Sequence, residues 1–256
     1  MIAILRRGFR FAGWLSCLAL VAPWSALAQG AGPIKMFTAD TNAAPYVMTD
    51  GVTFVGGILK DMNDEAAKRA KVKIVYSLQS RRSVDATLLS GDGHLVCNIQ
   101  PAWTKIADQL VWTEPMFADS DVFWRTQTAK ADIHAFADLK GHSFATYKGY
   151  HHNADLTRQV ADGQTRRIDL YPSENILDVL LAGRADFVVF SKIRGEYLQK
   201  SPKYRTSVLQ TGLVDSSYQN YCAISRRAPI DIDAYVKALN EIARDGTLER
   251  ILAKYR

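Results

Sequence analysis

The sequence is short of cysteine, of motif-borne chemistry and of charge of one sign. Three of its 256 residues are cysteine, and the separation of Cys97 from Cys222 does not match the close paired spacing of a zinc ligand set. No Gly-x-Ser-x-Gly elbow, Gly-x-x-x-x-Gly-Lys phosphate loop or His-Glu-x-x-His pair occurs. Serine-hydrolase, P-loop and zinc-protease chemistry therefore lack their nucleophile, phosphate cradle and metal ligands. Gly51 and Gly56-Gly57 do not form a dinucleotide fingerprint. Adjacent side chains diverge, so His151 and His152 do not make a metal pair; a capping or ligand-facing role is expected of them. Cys97, on an apolar stretch, reads as a core residue or a disulfide partner rather than a nucleophile. We expect no enzymatic activity, no metal and no cofactor.

Charge is nearly balanced. Lys and Arg number 32 against 26 Asp and Glu, but Arg6, Arg7 and Arg10 crowd the first ten residues. Without those three the excess is +3, and the remaining bases are scattered among acids, which excludes the clustered basic face that nucleic acid requires. The three arginines precede an uncharged run, Phe11 to Leu27, that ends in Ala26-Leu27-Ala28. A basic start, an apolar middle and a small-x-small exit predict a cleaved signal peptide over 1–28 and a periplasmic, exported protein. The run has 17 residues, contains Pro23 and lacks a basic stop-transfer flank, which argues against a membrane anchor. The two cysteines left after cleavage permit one disulfide in an oxidising compartment.

Periodicity then alternates. Strands are expected at Ile34 to Thr38, Val72 to Tyr76 and His94 to Cys97, separated by an amphipathic helix carrying Ile58, Leu59, Met62, Ala66 and Ala70 and by another from about Ser83 to Leu89. A second set follows: strands at Val122 to Trp124, Ser143 to Thr146, near Ile168 to Tyr171 and at Phe187 to Phe190. Helices are expected near His152, from a Pro172-Ser173-Glu174 cap through Leu181, and from Ile193 to Gln199. A strand at Tyr221 to Ile224 and two helical stripes, Ile232 to Ile242 and Leu248 to Leu252, close the chain. This is an α/β protein of two units with no flexible tether between them.

Seven phrases occur in an order that resembles the family 3 periplasmic solute-binding proteins, the polar amino-acid receptors of ABC transporters. They are Asp40 to Pro45-Tyr46; Gly57 to Asp61-Met62; Leu88-Leu89-Ser90-Gly91 to His94; Val111-Trp112-Thr113-Glu114-Pro115-Met116; Asp138-Leu139-Lys140-Gly141-His142; Leu180-Leu181-Ala182-Gly183-Arg184 to Asp186; and Asp245-Gly246-Thr247 to Tyr255. The resemblance implies a two-lobe, type II periplasmic binding protein in which two strand crossovers form a hinge. Lobe one is expected at 34–120 plus 220–256 and lobe two at 121–219. It also implies that Cys97 and Cys222, on neighbouring strands, are the disulfide pair.

Two departures from the family pattern stand out. The position of its carboxylate-clamping arginine falls on Ile106, with Lys105 beside it, and that of its ammonium-binding aspartate falls on Ser191. By the same matching, the ligand site is expected to comprise Asp40, Tyr46, Arg81, Arg82, Asn98, Trp103, Tyr147, Tyr150 and Ser191. Arg81 and Arg82, at a helix start, are expected to take an anionic group in place of the missing clamp. The implied function is capture of a small polar or anionic solute, amino-acid-like or an organic acid, by a monomer that serves an inner-membrane ABC permease. The alternatives are an enzyme on the same scaffold, such as the family's periplasmic cyclohexadienyl dehydratase, and a ligand sensor for a signalling partner.

Overall fold

In the computed structural model the described residues are 32–39, 42–171 and 174–256, all within one compact unit, Ala31–Arg256. The expected signal peptide, Asp40 and the Pro172-Ser173 cap lie outside them. The chain runs β1 (Ile34–Ala39), β2 (Met48–Asp50), β3 (Thr53–Gly56), α1 (Ile58–Ala70), β4 (Ile74–Gln79), α2 (Val84–Ser90), β5 (Leu95–Ile99), β6 (Leu110–Trp112) and β7 (Phe117–Thr126). It continues through β8 (Ser143–Tyr147), α3 (Ala154–Ala161), β9 (Arg166–Leu170), α4 (Ile176–Leu181), β10 (Phe187–Ser191), α5 (Lys192–Gln199), α6 (Pro202–Arg205), β11 (Val208–Ser225), α7 (Ile232–Arg244) and α8 (Thr247–Ala253).

Among the described residues nine strands hydrogen-bond in the order β4-β1-β5-β11-β7-β10-β8-β9, with β6 also on β11, while β2 and β3 pair apart as a hairpin. β1 pairs parallel with β4 and β5; at the other end β8 pairs parallel with β10 and β9. Between these parallel groups run the two long strands, β7 and the 18-residue β11, paired antiparallel. Parallel strands joined by helices bury both faces, so each group forms a lobe with its own core. One core gathers Ile34, Met36, Leu59, Met62, Tyr235 and Leu239 under α1 and α7. The other gathers Trp124, Leu177, Leu180, Val188 and Phe190 beside α4.

The sequence periodicity locates most of these elements within two residues, with β4 displaced toward Gln79. β11 is the large difference, because only its last turn of sequence, Tyr221 to Ile224, reads as apolar. Its buried residues include Thr211, Asp215 and Asn220, which a hydrophobicity pattern does not mark as inside. The expected cap of α4 also moves: Asn175 is the N-cap, accepting from the Leu177 N–H at 3.1 Å. Cys97 and Cys222 face each other across β5 and β11 with Cα atoms 4.0 Å apart and are joined as a disulfide.

Candidate functional site

The crossing of β7 and β11 places acids where the lobes meet. Alternate residues of a strand share a face, so Asp119 and Asp121 project together from β7. β11 sets Tyr218 opposite Asp119 and Ser216 opposite Asp121. Both aspartates and Asp215 of β11 are buried.

Two of these carboxylates are well supplied with donors. Asp119 accepts from the Tyr46 hydroxyl, from Ser191 Oγ at 2.6 Å and from the backbone N–H groups of Ser120 and Ile193 at 2.8 and 3.3 Å. Asp215 lies 2.8 Å from His152 Nδ1 and accepts from the Asn153 N–H at 3.1 Å. Asp121 has less: the Tyr218 hydroxyl reaches it at 3.3 Å. Burial, followed by the negative charges of Asp119 and Asp215, pushes its carboxyl up to about 7. Burial and the neighbouring aspartates likewise raise the phenols of Tyr46, Tyr150 and Tyr218, which stay protonated as donors.

Tyr46 comes from the lobe-one loop before β2. The first amides of α1, at Ile58 and Leu59, donate to the carbonyls of Pro45 and Tyr46 at 2.9 and 3.0 Å. Gly57 permits this close approach: its φ is 109°, and a Cβ there would stand 2.6 Å from the Tyr46 carbonyl oxygen.

Above the acids opens a cavity of about 890 Å³, within the range of small-molecule sites. Of the sequence-expected residues, Tyr46, Arg81, Asn98, Trp103, Tyr150 and Ser191 line it. Arg81 Nη2 donates to the Trp103 carbonyl at 2.9 Å, and the Trp103 ring meets Tyr218 edge to face at 5.2 Å. Asn98 has φ 61° inside β5 and donates to Asn42 Oδ1 at 3.0 Å; asparagine is among the few residues that tolerate this left-handed region.

Two expected residues lie elsewhere. Arg82 is exposed and outside the lining, because one step along a helical turn swings it away from the direction of Arg81. Tyr147 is buried in the lobe-two core, where its hydroxyl donates to the Glu174 carbonyl at 3.3 Å. Ile106 is a core residue, whereas Lys105 lines the cavity. Ser191, expected as a ligand contact, also caps α5 by accepting from the Arg194 N–H.

The sequence expectation omitted Asp121, Arg194, Asp215 and Tyr218, all cavity residues. The Asp119-Ser-Asp121 alternation is a visible signal for one of them. The others become neighbours only through the crossing of β11 and the fold of α5. Lysine and arginine on one wall, buried acids at the floor and aromatic edges between them suit a small charged solute. Chemically, the arrangement can orient and desolvate such a solute and hold protons on Asp121 and the phenols.

No family model matches the chain, and no curated protein matches it by sequence. Solved structures do match by fold. The GluR0 ligand-binding core from Nostoc punctiforme in complex with L-glutamate has a TM-score of 0.67 at 16% identity, over 87% of this chain and 99% of that one. An ancestral arginine-binding protein bound to arginine has a TM-score of 0.68 at 21% identity, over 88% and 99%. The ancestral amino acid-binding protein AncCDT-1, a precursor of cyclohexadienyl dehydratase, has a TM-score of 0.66 at 16% identity, over 88% and 95%. The chain therefore has the two-lobe, type II periplasmic binding protein fold found in amino-acid-binding proteins. Among the described residues no helix is long and apolar enough to cross a membrane.

Proposed function

We propose that this protein is a non-catalytic periplasmic receptor that captures a small solute bearing an anionic group and delivers it to an ABC permease. The observation that carries this reading is the cavity itself, lined by Arg81 and Trp103 from one lobe, by Tyr150 and Arg194 from the other and by Asp121 and Tyr218 from the crossing strands. A solute that touches both walls binds the closed arrangement better than an open one, so occupancy becomes closure that a permease can read. On this reading lobe one spans 34–120 plus 220–256, lobe two spans 121–219, residues 1–28 are removed on export, and the mature protein acts as a monomer.

The test is a thermal-shift screen of the chain from residue 29 against amino acids and small organic acids, followed by small-angle scattering with the best binder. A ligand at a hundred times its dissociation constant adds about 2.7 kcal/mol to the folded state. Expected are a rise in melting temperature and a smaller radius of gyration. Binding without contraction, or no binder of any charge, would overturn the reading.

One observation favours a second reading, an enzyme on this scaffold: His152 and Asp215 form a buried pair in the cavity wall, beside a carboxyl that titrates near neutrality. Loss of water together with carbon dioxide from a cyclohexadienyl acid, the carboxylate leaving as the hydroxyl departs, followed by absorbance and abolished by His152→Ala, would establish that reading.

A further inference from the structure

Asp121 stands on β7 opposite Ser191 of β10 and Ser216 of β11, where lobe two meets the crossing strands. It is 6% exposed and lines the cavity, as does Asp215, which is 3% exposed. Among the described residues no lysine, arginine or backbone amide reaches its carboxylate; the neutral hydroxyls of Tyr218 and Ser216 do. The Tyr218 hydroxyl is itself divided, 3.3 Å from Asp121 and 3.5 Å from Asp119, and it has one proton to give.

The neighbouring groups are committed elsewhere. Asp119 takes the Tyr46 and Ser191 hydroxyls and two amides, and Asp215 takes His152 and the Asn153 N–H. The His152 side chain is 2% exposed; its Nδ1 faces Asp215, and its Nε2 has no partner. Arg194 of α5 lies over the Tyr147 and Phe190 rings and makes no ion pair with any of the three acids among the described residues. Tyr150 brings no charge, since burial and then the charge of Asp121 raise its phenol. Three buried carboxylates thus have one buried histidine among them. Such a cluster must hold a proton or take in a cation, because like charges so close cannot all stay ionised and unanswered. Asp121, with its carboxyl pushed up to about 7, is the member that keeps a proton near neutrality.

We propose that Asp121 is the anchor for a protonated amine of the solute, and that the amine displaces the carboxyl proton of Asp121 to solvent as it binds. This rests on the receptor reading and adds to the solute's anionic group a cationic nitrogen at the cavity floor. The ammonium enters already protonated, the O–H bond of Asp121 breaks, its proton passes to the buffer, and the carboxylate left behind accepts from the ammonium N–H groups. Proton and amine compete for one carboxylate. Affinity for the amine therefore rises from pH 6 to pH 8, by about tenfold for a group that titrates near 7.

The probes are L-glutamate, L-phenylalanine and γ-aminobutyrate, each beside the acid that lacks its nitrogen: glutarate, 3-phenylpropionate and valerate. They are titrated calorimetrically into the chain from residue 29 at pH 6, 7 and 8, in two buffers of different ionisation heat. Expected at pH 8 is at least one amine bound about ten- to a hundredfold tighter than its counterpart. At pH 7 that amine should release about half a proton. Asp121→Asn should remove both the preference and the release. Asp121→Glu, which keeps a carboxylate on the floor, should retain both, and it keeps the test intact if the Asn variant does not fold. Equal affinity for amine and counterpart, a preference unchanged in folded Asp121→Asn, or a release that survives that substitution and so belongs to a histidine overturns the proposal. Binding of the nitrogen-free acids in preference to their amines would overturn it while leaving the receptor reading standing; no binding by any probe would overturn both.

Discussion

The hydroxyls of Tyr46 and Ser191, 145 residues apart in sequence, lie 2.8 Å from each other and both donate to the same oxygen of Asp119. Tyr46 packs with the lobe-one core and Ser191 ends β10 of the other lobe, so the contact ties the lobes at the floor of the cavity. Tyr46→Phe preserves the ring that stacks on Phe117 and removes one donor. The expected cost is about 1–3 kcal/mol in urea unfolding, with a larger radius of gyration for the unliganded protein. An unchanged denaturation midpoint would show that the hydroxyl contributes nothing.

Asp121 should make stability depend on pH. Its carboxyl is raised from an ordinary 3.8 to about 7, so the fold favours the neutral form. The contribution is fully present below pH 4 and is lost as pH rises through 7, when the buried group must ionise. The displacement corresponds to at most roughly 4 kcal/mol. Asp121→Asn should therefore match the wild type at pH 4 and exceed it at pH 8, as followed by chemical denaturation at both values; the opposite order would refute the assignment.

The neighbouring arginines of the α2 approach should separate. Arg81 lines the cavity and Arg82 does not. Once a ligand is in hand, Arg81→Ala should weaken it about tenfold or more, and Arg82→Ala by less than twofold, by calorimetry. Equal losses would mean that the two act through a shared surface field rather than through contact.

Gly195 is set by packing rather than by helix preference. In a helix, alanine normally gains about 1 kcal/mol over glycine. Here a Cβ would stand 1.9 Å from Cζ2 of the buried Trp124, so overpacking wins. Gly195→Ala should lower stability by about 3 kcal/mol and perturb the near-ultraviolet signal of tryptophan.

The Cys97–Cys222 bridge closes a separation of 125 residues, from β5 to the end of the chain's longest strand. The double Ser variant should lose roughly 2–5 kcal/mol while keeping the fold. Alkylation of denatured, unreduced wild type should label neither of the two; labelling of both would show that the thiols are free.

Much of the fold was legible because its signals are local. The α1 stripe of Ile58, Leu59 and Met62 and the α7 stripe of Tyr235, Leu239 and Ile242 face one shared core, and 3.6-residue spacing reveals such faces without tertiary information. The phrase Leu180 to Asp186 likewise marks a helix end followed by a buried strand. β11 was legible only at its apolar end, since buried Thr211, Asp215 and Asn220 interrupt the apolar pattern of Val208 and Leu213 along the rest of the strand.

The site divides along the same line. The sequence by itself determined the α/β alternation, while its resemblance to the solute-binding family pointed to the departures at Ile106 and Ser191 and to Tyr46, Arg81, Asn98, Trp103 and Tyr150, which line the cavity. Only the tertiary structure decided that Arg81 and not Arg82 faces the cavity, that Tyr147 belongs to a core, and that Asp121, Asp215 and Arg194 gather there. The reason is physical. Burial, hydrogen-bond partners and charge neighbours arise between residues far apart in sequence, and neither β7 nor β11 alone shows which residue of the other it will face.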